Sequence, residues 1–295
     1  MTSAALREEP WTIRRVLAWA AEDLKKHGSS SPRLDAELLL GKVLDLPRVK
    51  LVIDAERPLA KGELATYREL HRRRRKGEPV AYLLGVREFY GRPFRVDARV
   101  LIPRPDTEIL VEVALARSRA RSLSLRALDL CTGSGCVAIT IARERPTALV
   151  IGSDISRPAL DVARQNAVRL GAFNVAFFAA DLFALPRLLT PARLDLITAN
   201  PPYIPDSEEP DLAVDIRDYE PHAALFGGAD GLVIVRRIVE EAPLHLDEGG
   251  VLALEVAAGQ SAAVAALLQA RGFIDIDKAR DYGGHERVVS GSWKP

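Results

Sequence analysis

The sequence contains little cysteine, and its two cysteines, Cys131 and Cys136, are only five residues apart. No further cysteine lies near them, which excludes a disulfide framework and a zinc site with the usual cysteine spacing, and we expect no metal. The chain has 295 residues, of which 48% are hydrophobic, so it can bury a sizeable core without crosslinks. This composition also excludes intrinsic disorder over most of the chain.

Long apolar runs are missing as well. No run reaches the roughly 18 residues that a membrane span requires. The first residues, MTSAALREEPW, carry acidic side chains where a signal peptide would have a basic and then an apolar stretch. We therefore expect a cytoplasmic protein with no membrane association and with reduced thiols.

The chain has no excess of charge of one sign. It carries 41 basic and 40 acidic residues, a net charge of +1, which argues against a protein that wraps nucleic acid. The charge is uneven, however, because residues 1–83 hold 17 basic and 12 acidic residues and the remainder holds 24 and 28. Two regions with different partners are therefore expected.

The first region has a helical pattern. Apolar residues recur at helical spacing between residues 11 and 82, and Ser31-Pro32 is typical of the N-cap and first residue of a helix. A further helix is expected over residues 61–76. These signals predict a small all-helical domain over residues 1–83.

The pattern changes to that of a hairpin in the next segment. REFYGRPFRVDARV alternates apolar and polar residues, and Gly91-Arg92-Pro93 is the predicted turn. We expect a β-hairpin linker over residues 84–104.

Strand-like and helix-like segments alternate over the remainder, residues 105–295. This alternation predicts an α/β fold, with a mostly parallel sheet covered by helices on both faces. The segment 286–290 follows a strand directly and is expected to add an antiparallel strand. The predicted strands are 126–131, 148–153, 174–179, 194–199, 250–255 and 273–277, and the predicted helices are 135–144, 157–169, 231–243 and 259–271.

A glycine-containing loop follows the first strand of this region. Glycines in the segment Cys131-Thr132-Gly133-Ser134-Gly135 let the backbone approach a ligand closely, at the sheet edge where α/β folds bind ligands. The loop alone leaves open S-adenosylmethionine, a nicotinamide dinucleotide and a purely structural turn. The acid Asp129 favours S-adenosylmethionine because it would repel a pyrophosphate. It would either order the loop or bind an amino group.

Two further acids end the next two strands. Asp154 lies 19 residues after Gly135 and can accept hydrogen bonds from two ribose hydroxyls. Asp181 can accept from an adenine amino group while Leu182 packs on the ring, although Asp181 can also be a helix N-cap. A glycine loop and two acids at three strand ends predict a pocket for adenosine.

The fourth strand runs directly into Asn200-Pro201-Pro202-Tyr203, the most specific motif in the chain. Two prolines remove two N–H donors, so the side chain of Asn200 and the backbone carbonyl of Pro201 are left as acceptors. These acceptors can hold the two N–H groups of a planar amide or aromatic amine, while Tyr203 stacks on its face. They would stabilise the positive charge that develops on nitrogen during methyl transfer, and positioning would supply most of the acceleration.

These motifs, with GEPVAYLLGVREFY at 77–90 and LIPRPDTE at 101–108, resemble those of the bacterial peptide chain release factor glutamine N5-methyltransferases. The resemblance covers essentially the whole chain. It implies a Rossmann-like class I methyltransferase domain, joined by the hairpin to the all-helical N-terminal domain. The implied reaction is methylation of the glutamine in the Gly-Gly-Gln motif of class I release factors.

Matching motifs carry the family's site residues onto this chain. The resemblance assigns the cofactor to the loop 131–135, Asp154, Leu182 and Asn200, and the substrate glutamine to residues 200–203. The argument from the strand ends adds Asp181 to this set. The predicted cofactor site therefore comprises Cys131, Thr132, Gly133, Ser134, Gly135, Asp154, Asp181, Leu182 and Asn200. The sequence departs from the family at Cys131, where glycine is common, and at Leu182, where some members have an aromatic residue.

Three other functions compete with this interpretation. A DNA amino-methyltransferase also uses the Asn-Pro-Pro-Tyr motif on a flipped base, but it needs a basic groove that this chain lacks. A glutamine methyltransferase for a ribosomal protein would share the core and differ in its N-terminal domain. A non-catalytic binding module is the third. We expect a monomer without direct nucleic-acid contact.

Two charged segments have alternative interpretations. The run His71–Lys76 is either a solvated helix end, which we favour, or a docking patch for an acidic surface. The loop 206–220 carries seven acids and one arginine, and it is either a lid over the substrate or a solvated loop.

Overall fold

A computed structural model describes residues 10–121, 123–185 and 193–295. The chain divides into two compact units, Met1–Gly85 and Val86–Pro295. Among the described residues no helix is both long and apolar enough to cross a membrane, and no group of acidic, histidine and cysteine side chains could hold a metal ion.

The first unit is a helical bundle. The Thr12 side chain caps the first helix by accepting from the N–H of Arg15, and Ser31 and Pro32 lie at the predicted N-cap and first helical position. The Ser31 side chain makes no capping hydrogen bond, however. The helices bury one apolar face each, including Leu17, Leu24 and Leu40. They are α1 (Ile13–Lys26), α2 (Pro32–Leu44), α3 (Arg48–Ile53), α4 (Lys61–Arg75) and α5 (Val80–Leu84).

The basic run 71–76 closes α4 and is only partly a solvated helix end. Arg72 pairs with Glu69 on the surface, as expected for such a helix end. His71 is buried, and the Arg74 guanidinium lies 2.8 Å from the buried carboxylate of Asp35. The sequence pattern could not separate these side chains, because all of them carry basic groups on one short segment.

The hairpin has a tighter turn than the one predicted. Strands β1 (Val86–Phe89) and β2 (Arg92–Arg95) pair antiparallel, with Phe89 opposite Arg92, so Tyr90 and Gly91 form the turn. The predicted turn Gly91-Arg92-Pro93 is wrong, since Pro93 lies in β2 opposite Glu88. Tyr90 and Gly91 have φ of 51° and 68°, as a two-residue hairpin turn with the favoured twist requires.

The second unit contains a seven-stranded sheet. Its strands are β3 (Arg126–Leu130), β4 (Leu149–Asp154), β5 (Val175–Ala179), β6 (Leu194–Ala199), β7 (Leu246–Glu255), β8 (Phe273–Arg280) and β9 (Glu286–Trp293). They lie in the order β5-β4-β3-β6-β7-β9-β8. The first five strands in this order are parallel, and β9 is antiparallel to both β7 and β8. The mostly parallel sheet and the antiparallel last strand are therefore confirmed.

Helices cover both faces of this sheet. They are α6 (Thr107–Arg117), α7 (Cys136–Glu144), α8 (Arg157–Leu170), α9 (Val214–Arg217), α10 (Val233–Glu241) and α11 (Ser261–Arg271). One face of the sheet packs against α6, α7 and α8 through residues such as Leu110, Ile141 and Leu160. The other face packs against α10 and α11 through Ile238 and Val264.

The strand order places a switch point between β3 and β6. From β3 the chain adds strands in one direction to β4 and β5, whereas β6 lies on the other side of β3 and leads to β7. A crevice opens outside the carboxyl ends of the strands at such a point. The segments that follow β3, β4, β5, β6 and β7 all lie at this edge.

Candidate active site

The loop after β3 has three residues in the left-handed region of backbone conformation. Cys131, Gly133 and Gly135 have φ of 54°, 54° and 80°. A Cβ on Gly135 would lie 2.9 Å from Ile139 Cδ1 and 3.2 Å from Phe177 Cζ, and the φ of 80° would strain any residue with a side chain there. The positive φ of Cys131 is one that glycine adopts without strain and that a residue with a side chain does not. The cysteine that stands here, where the family commonly has glycine, therefore carries a conformational cost.

The carboxyl group of Asp129, near the end of β3, connects this loop to the neighbouring strand β6. Its two carboxyl oxygens accept hydrogen bonds from the hydroxyls of Thr132, at 2.6 Å, and Thr198, at 2.8 Å. Burial raises the pKa of Asp129 to about 7, although both hydroxyls favour its ionised form. Of the two roles that the sequence left open for Asp129, these contacts support the ordering of the loop.

Asp154, the last residue of β4, connects the loop to the start of α8. Its Oδ2 accepts from the backbone N–H of Gly133 at 2.9 Å, and its Oδ1 accepts from that of Ser156 at 2.8 Å. Burial raises the pKa of Asp154, while the two N–H donors act in the opposite direction. The carboxylate is therefore held in one orientation at the sheet edge.

Asp181 and Leu182 follow β5, as predicted. The Arg237 guanidinium of α10 donates to Asp181 Oδ2 at 2.9 Å in a half-exposed ion pair. Leu182 has a φ of 50° and is buried. No sequence signal points to Arg237, because it lies 56 residues further along the chain, on a helix with no motif of its own.

The Asn200–Tyr203 segment is held from several sides. The Asn200 side chain donates through Nδ2 to Thr107 Oγ1 at 3.2 Å, and Gln260 Nε2 donates to the backbone oxygen of Tyr203 at 3.0 Å. Gly231 lies directly against this segment, since a Cβ there would lie 2.1 Å from the Tyr203 oxygen. Burial raises the pKa of the Tyr203 hydroxyl, so this group stays neutral at ordinary pH.

A buried carboxyl group, Glu255, lies behind Asn200. It ends β7, the neighbour of β6, and only 1% of its surface is exposed. Burial raises the pKa of this carboxyl group to about 7, while the nearby Thr107 and Asn200 side chains act in the opposite direction. Its Oε2 atom has no hydrogen-bond partner among the residues that the structure describes. The signal that could have identified Glu255 is its position at the end of the fifth parallel strand.

These segments surround a cavity of about 330 Å³. A smaller space of about 40 Å³ shares Cys131, Gly133 and Asn200 with it and is also lined by Thr107 and Asp129. Of the predicted site residues, the larger cavity is lined by Cys131, Gly133, Asp154, Asp181, Leu182, Asn200 and Pro202, and the smaller one by Cys131, Thr132, Gly133, Ser134 and Asn200. Gly135, Pro201 and Tyr203 line neither space, and the structure brings them to the site only through their backbone neighbours.

The acidic segment 206–220 is anchored at its last residue. Buried Glu220 accepts a hydrogen bond from the N–H of Ile102 at 3.1 Å and forms an ion pair with Arg104. The residues that follow it, including Pro221 and Phe226, line the larger cavity. The other acids of this segment lie on the surface or are half-buried.

Family models match both units of the chain. Residues 15–85 match the model of the PrmC N-terminal domain, and residues 122–263 match that of a methyltransferase domain. These matches agree with the helical bundle and with the sheet that carries the site.

Full-length relatives narrow the family. The release factor glutamine methyltransferase of Geobacter sulfurreducens is 44% identical, over 97% of this chain and 98% of the relative. That of Vibrio cholerae is 42% identical, over 96% of this chain and 97% of the relative. A solved structure, the release factor-specific protein-(glutamine-N5) methyltransferase of Alicyclobacillus acidocaldarius, is 30% identical, with a TM-score of 0.41, over 68% of this chain and all of that one. The chain belongs to the family of release factor glutamine methyltransferases.

Proposed function

We propose that the protein transfers a methyl group from S-adenosylmethionine to the side-chain amide nitrogen of the glutamine in the Gly-Gly-Gln motif of class I peptide chain release factors. The observation that carries this proposal is the orientation of Asn200 beside the cavity. Its NH₂ group donates to Thr107, so its oxygen points away from Thr107 and is available as an acceptor. An acceptor at this position suits a substrate that presents N–H groups.

The cavity fits the cofactor in size and chemistry. A volume of about 330 Å³ lies at the lower end of the range for small-molecule sites, and its lining combines apolar side chains with the carboxylates of Asp154 and Asp181. We assign the ribose hydroxyls to Asp154 and the adenine amino group to Asp181, with Leu182 against the ring. When bound, S-adenosylmethionine supplies an electrophilic methyl group on its sulfonium sulfur.

Asn200 and Pro201 then act on the substrate amide. The Asn200 side-chain oxygen and the Pro201 carbonyl oxygen accept its two N–H groups, which aligns the nitrogen lone pair with the incoming methyl group. Both acceptors stabilise the positive charge that develops on nitrogen, and Pro202 and Tyr203 confine the planar group. Because the fold already holds both acceptor oxygens in place, little free energy is needed to reorient them during the reaction.

We assign substrate docking to the helical domain, residues 1–83, and methyl transfer to residues 105–295, with the hairpin segment 84–104 as the linker. The excess of five positive charges in the first region supports a role in binding a protein surface of opposite charge. We further propose that the protein acts as a monomer in the cytoplasm, without direct contact with nucleic acid.

Mass spectrometry of a recombinant release factor tests the proposal. After incubation with the protein and S-adenosylmethionine, the Gly-Gly-Gln peptide should gain one methyl group on its glutamine. A release factor with Gly-Gly-Ala in place of Gly-Gly-Gln is the control and should gain none. Methylation of a ribosomal protein or of DNA adenine under the same conditions, with the release factor unchanged, would replace the proposal by one of the rival substrates.

A further inference from the structure

We propose that the helical unit binds the release factor through a cavity between α1 and α4, which takes one apolar side chain from an acidic segment of that protein. The inference rests on the function proposed above, because it names the surface by which the helical unit docks its substrate. None of the sequence motifs described above includes a residue of this cavity.

Three aromatic side chains line the cavity, which measures about 160 Å³. Aromatic residues make up only 6% of the chain, yet two of its three tryptophans lie here. Trp19 is 46% exposed, so it is not a core residue. Tryptophan, tyrosine and arginine are the residues that most often dominate the energy of protein interfaces. The lining residues are Trp11, Val16, Trp19, Leu64, Tyr67 and Arg68.

The two indole rings are held in place by the fold. Trp11 and Trp19 meet edge to face, with their ring centroids 6.2 Å apart, and Trp19 packs on buried His71 at 4.7 Å. The backbone oxygen of Trp11 accepts a hydrogen bond from the N–H of Leu59 at 2.9 Å. Little conformational entropy is therefore lost when a partner binds to these rings.

The volume of the cavity indicates the class of its occupant. Small-molecule sites usually measure about 300–1,000 Å³. A cavity of about 160 Å³ is too small for most cofactors and has room for a single side chain. Val16 and Leu64 add aliphatic contacts to the aromatic ones, so burial here favours an aliphatic or aromatic side chain over a polar one.

Arg68 places a positive charge beside this apolar site. Its side chain is exposed and forms no ion pair with any residue that the structure describes. Other arginines of the helical unit are neutralised, since Arg57 pairs with Glu63 and Arg72 pairs with Glu69. None of the described residues that line the cavity is acidic. Together with the excess of five positive charges in this unit, Arg68 favours a partner segment that carries carboxylates next to its apolar side chain.

The three tryptophans of the chain allow a direct binding test. Full-length protein labelled with 5-fluorotryptophan gives three ¹⁹F signals, each assigned by a change to phenylalanine at one position. An unlabelled class I release factor contributes no signal of its own. Its addition should shift the signals of Trp11 and Trp19. Trp293, which packs on Phe273 in the other unit, is the internal reference and should keep its chemical shift.

Kinetics separate the apolar contact from the charge. Trp19→Ala and Arg68→Glu should each raise the KM for the intact release factor by roughly 10-fold or more and change kcat by less than about 3-fold. The effect of Arg68→Glu should shrink at high salt, whereas that of Trp19→Ala should persist. Lys50→Glu, the same charge reversal at an exposed position on α3, is the control and should leave this KM within about 3-fold. All variants should methylate a short Gly-Gly-Gln peptide equally, which shows that they fold.

Two other occupants have their own outcomes. A variant that lacks residues 1–9 should keep its KM for the intact factor, and a KM about 10-fold lower would assign the cavity to the start of the chain itself. Dimerisation that Trp19→Ala abolishes, measured by light scattering, would assign it to a second copy. Either result would overturn the inference.

The inference and the proposed function fail in different ways. If the protein methylates the release factor but the Trp19 signal does not shift and both variants keep their KM, the inference is wrong and the proposed function stands. If neither the intact factor nor the peptide is methylated by the unmodified protein, the proposed function is wrong. Shifts of the Trp11 and Trp19 signals by the release factor would still support the cavity as its binding site.

Discussion

The backbone N–H of Gly133 donates to Asp154 Oδ2 over 2.9 Å, so the predicted ribose acceptor is also a structural support of the glycine loop. The other oxygen of Asp154 supports the start of α8 through Ser156. One carboxylate thus aligns two segments that line the same cavity.

This double role makes a prediction for Asp154. Asp154→Ala should weaken S-adenosylmethionine binding roughly 10- to 150-fold, through loss of charge-assisted hydrogen bonds. Asp154→Asn should be no better, because its NH₂ group would face one of the two backbone N–H donors. Titration calorimetry measures both affinities, with Asp161→Asn, an exposed acid on α8, as the control. An Asn variant that binds within about 3-fold of the unmodified protein would contradict the geometry described here.

Asn200 should tolerate neither alanine nor aspartate. Asn200→Ala removes the acceptor and should slow the chemical step by roughly 10²–10³. Asn200→Asp keeps an acceptor but replaces the NH₂ group, which now donates to Thr107, with an oxygen, and it adds a second carboxyl group near buried Glu255. We expect the Asp variant to be about as slow as the Ala variant in single-turnover assays at pH 8 and saturating cofactor. Near-normal rates for Asn200→Ala would remove the catalytic role of the motif.

Gly231 should be required for the backbone path of Tyr203. It has a φ of 72°, and an added Cβ would approach the Tyr203 oxygen to 2.1 Å, so Gly231→Ala must displace the motif. We expect a large loss of kcat and a lower melting temperature. Gly284→Ala is the matched control, since Gly284 has a φ of 86° and open space around it. It should lose only about 1 kcal/mol of stability, from backbone strain, and keep its activity. Equal activity in the two variants would refute the contact.

The helical unit should matter for the protein substrate and not for the chemistry. A protein that begins at Val86 should bind S-adenosylmethionine within about 3-fold of the full chain. Its KM for intact release factor should rise at least about 10-fold, because the docking surface is gone. A short Gly-Gly-Gln peptide is the control and should be methylated equally by both proteins. An unchanged KM for the intact factor would show that residues 1–83 do not dock it.

Glu255 should make stability depend on pH. Its folded-state pKa of about 7 lies above the ordinary value of 4.5, so its favourable contribution is complete below about pH 4 and is lost as the pH rises through 7. Glu255→Gln should therefore gain stability relative to the unmodified protein between pH 5 and pH 8, by on the order of 2 kcal/mol. Urea unfolding at the two pH values measures this difference. A constant difference would mean that Glu255 titrates normally.

Much of the α/β unit was predictable, because its strands are short apolar runs bounded by clear turns. Helix α6 was missed for a physical reason. Ile109, Leu110 and Val111 are consecutive and all buried, so the segment shows no amphipathic period. The turn at Tyr90 was missed because a non-glycine residue there takes a positive φ.

The site was predictable where a motif sits at a strand end, as with Gly133, Asp154 and Asn200. The supporting contacts were not, because they join residues far apart in the chain. Thr107 lies 93 residues before Asn200, and Gln260 lies 57 residues after Tyr203. Single positions of this kind have no periodicity, and only the folded register brings them together.

The position of β9 between β7 and β8 has a consequence for the order of folding. Strand β8 precedes β9 in the chain, yet among the strands that the structure describes it pairs with β9 alone, which in turn pairs with β7. A nascent chain that has completed β8 has no sheet edge on which to place it until β9 is available. Strand β8 therefore joins the sheet together with β9 or after it, which makes its docking a late step. Cleavage in the turn that connects them, around Gly283-Gly284, would turn that local pairing into an association between fragments.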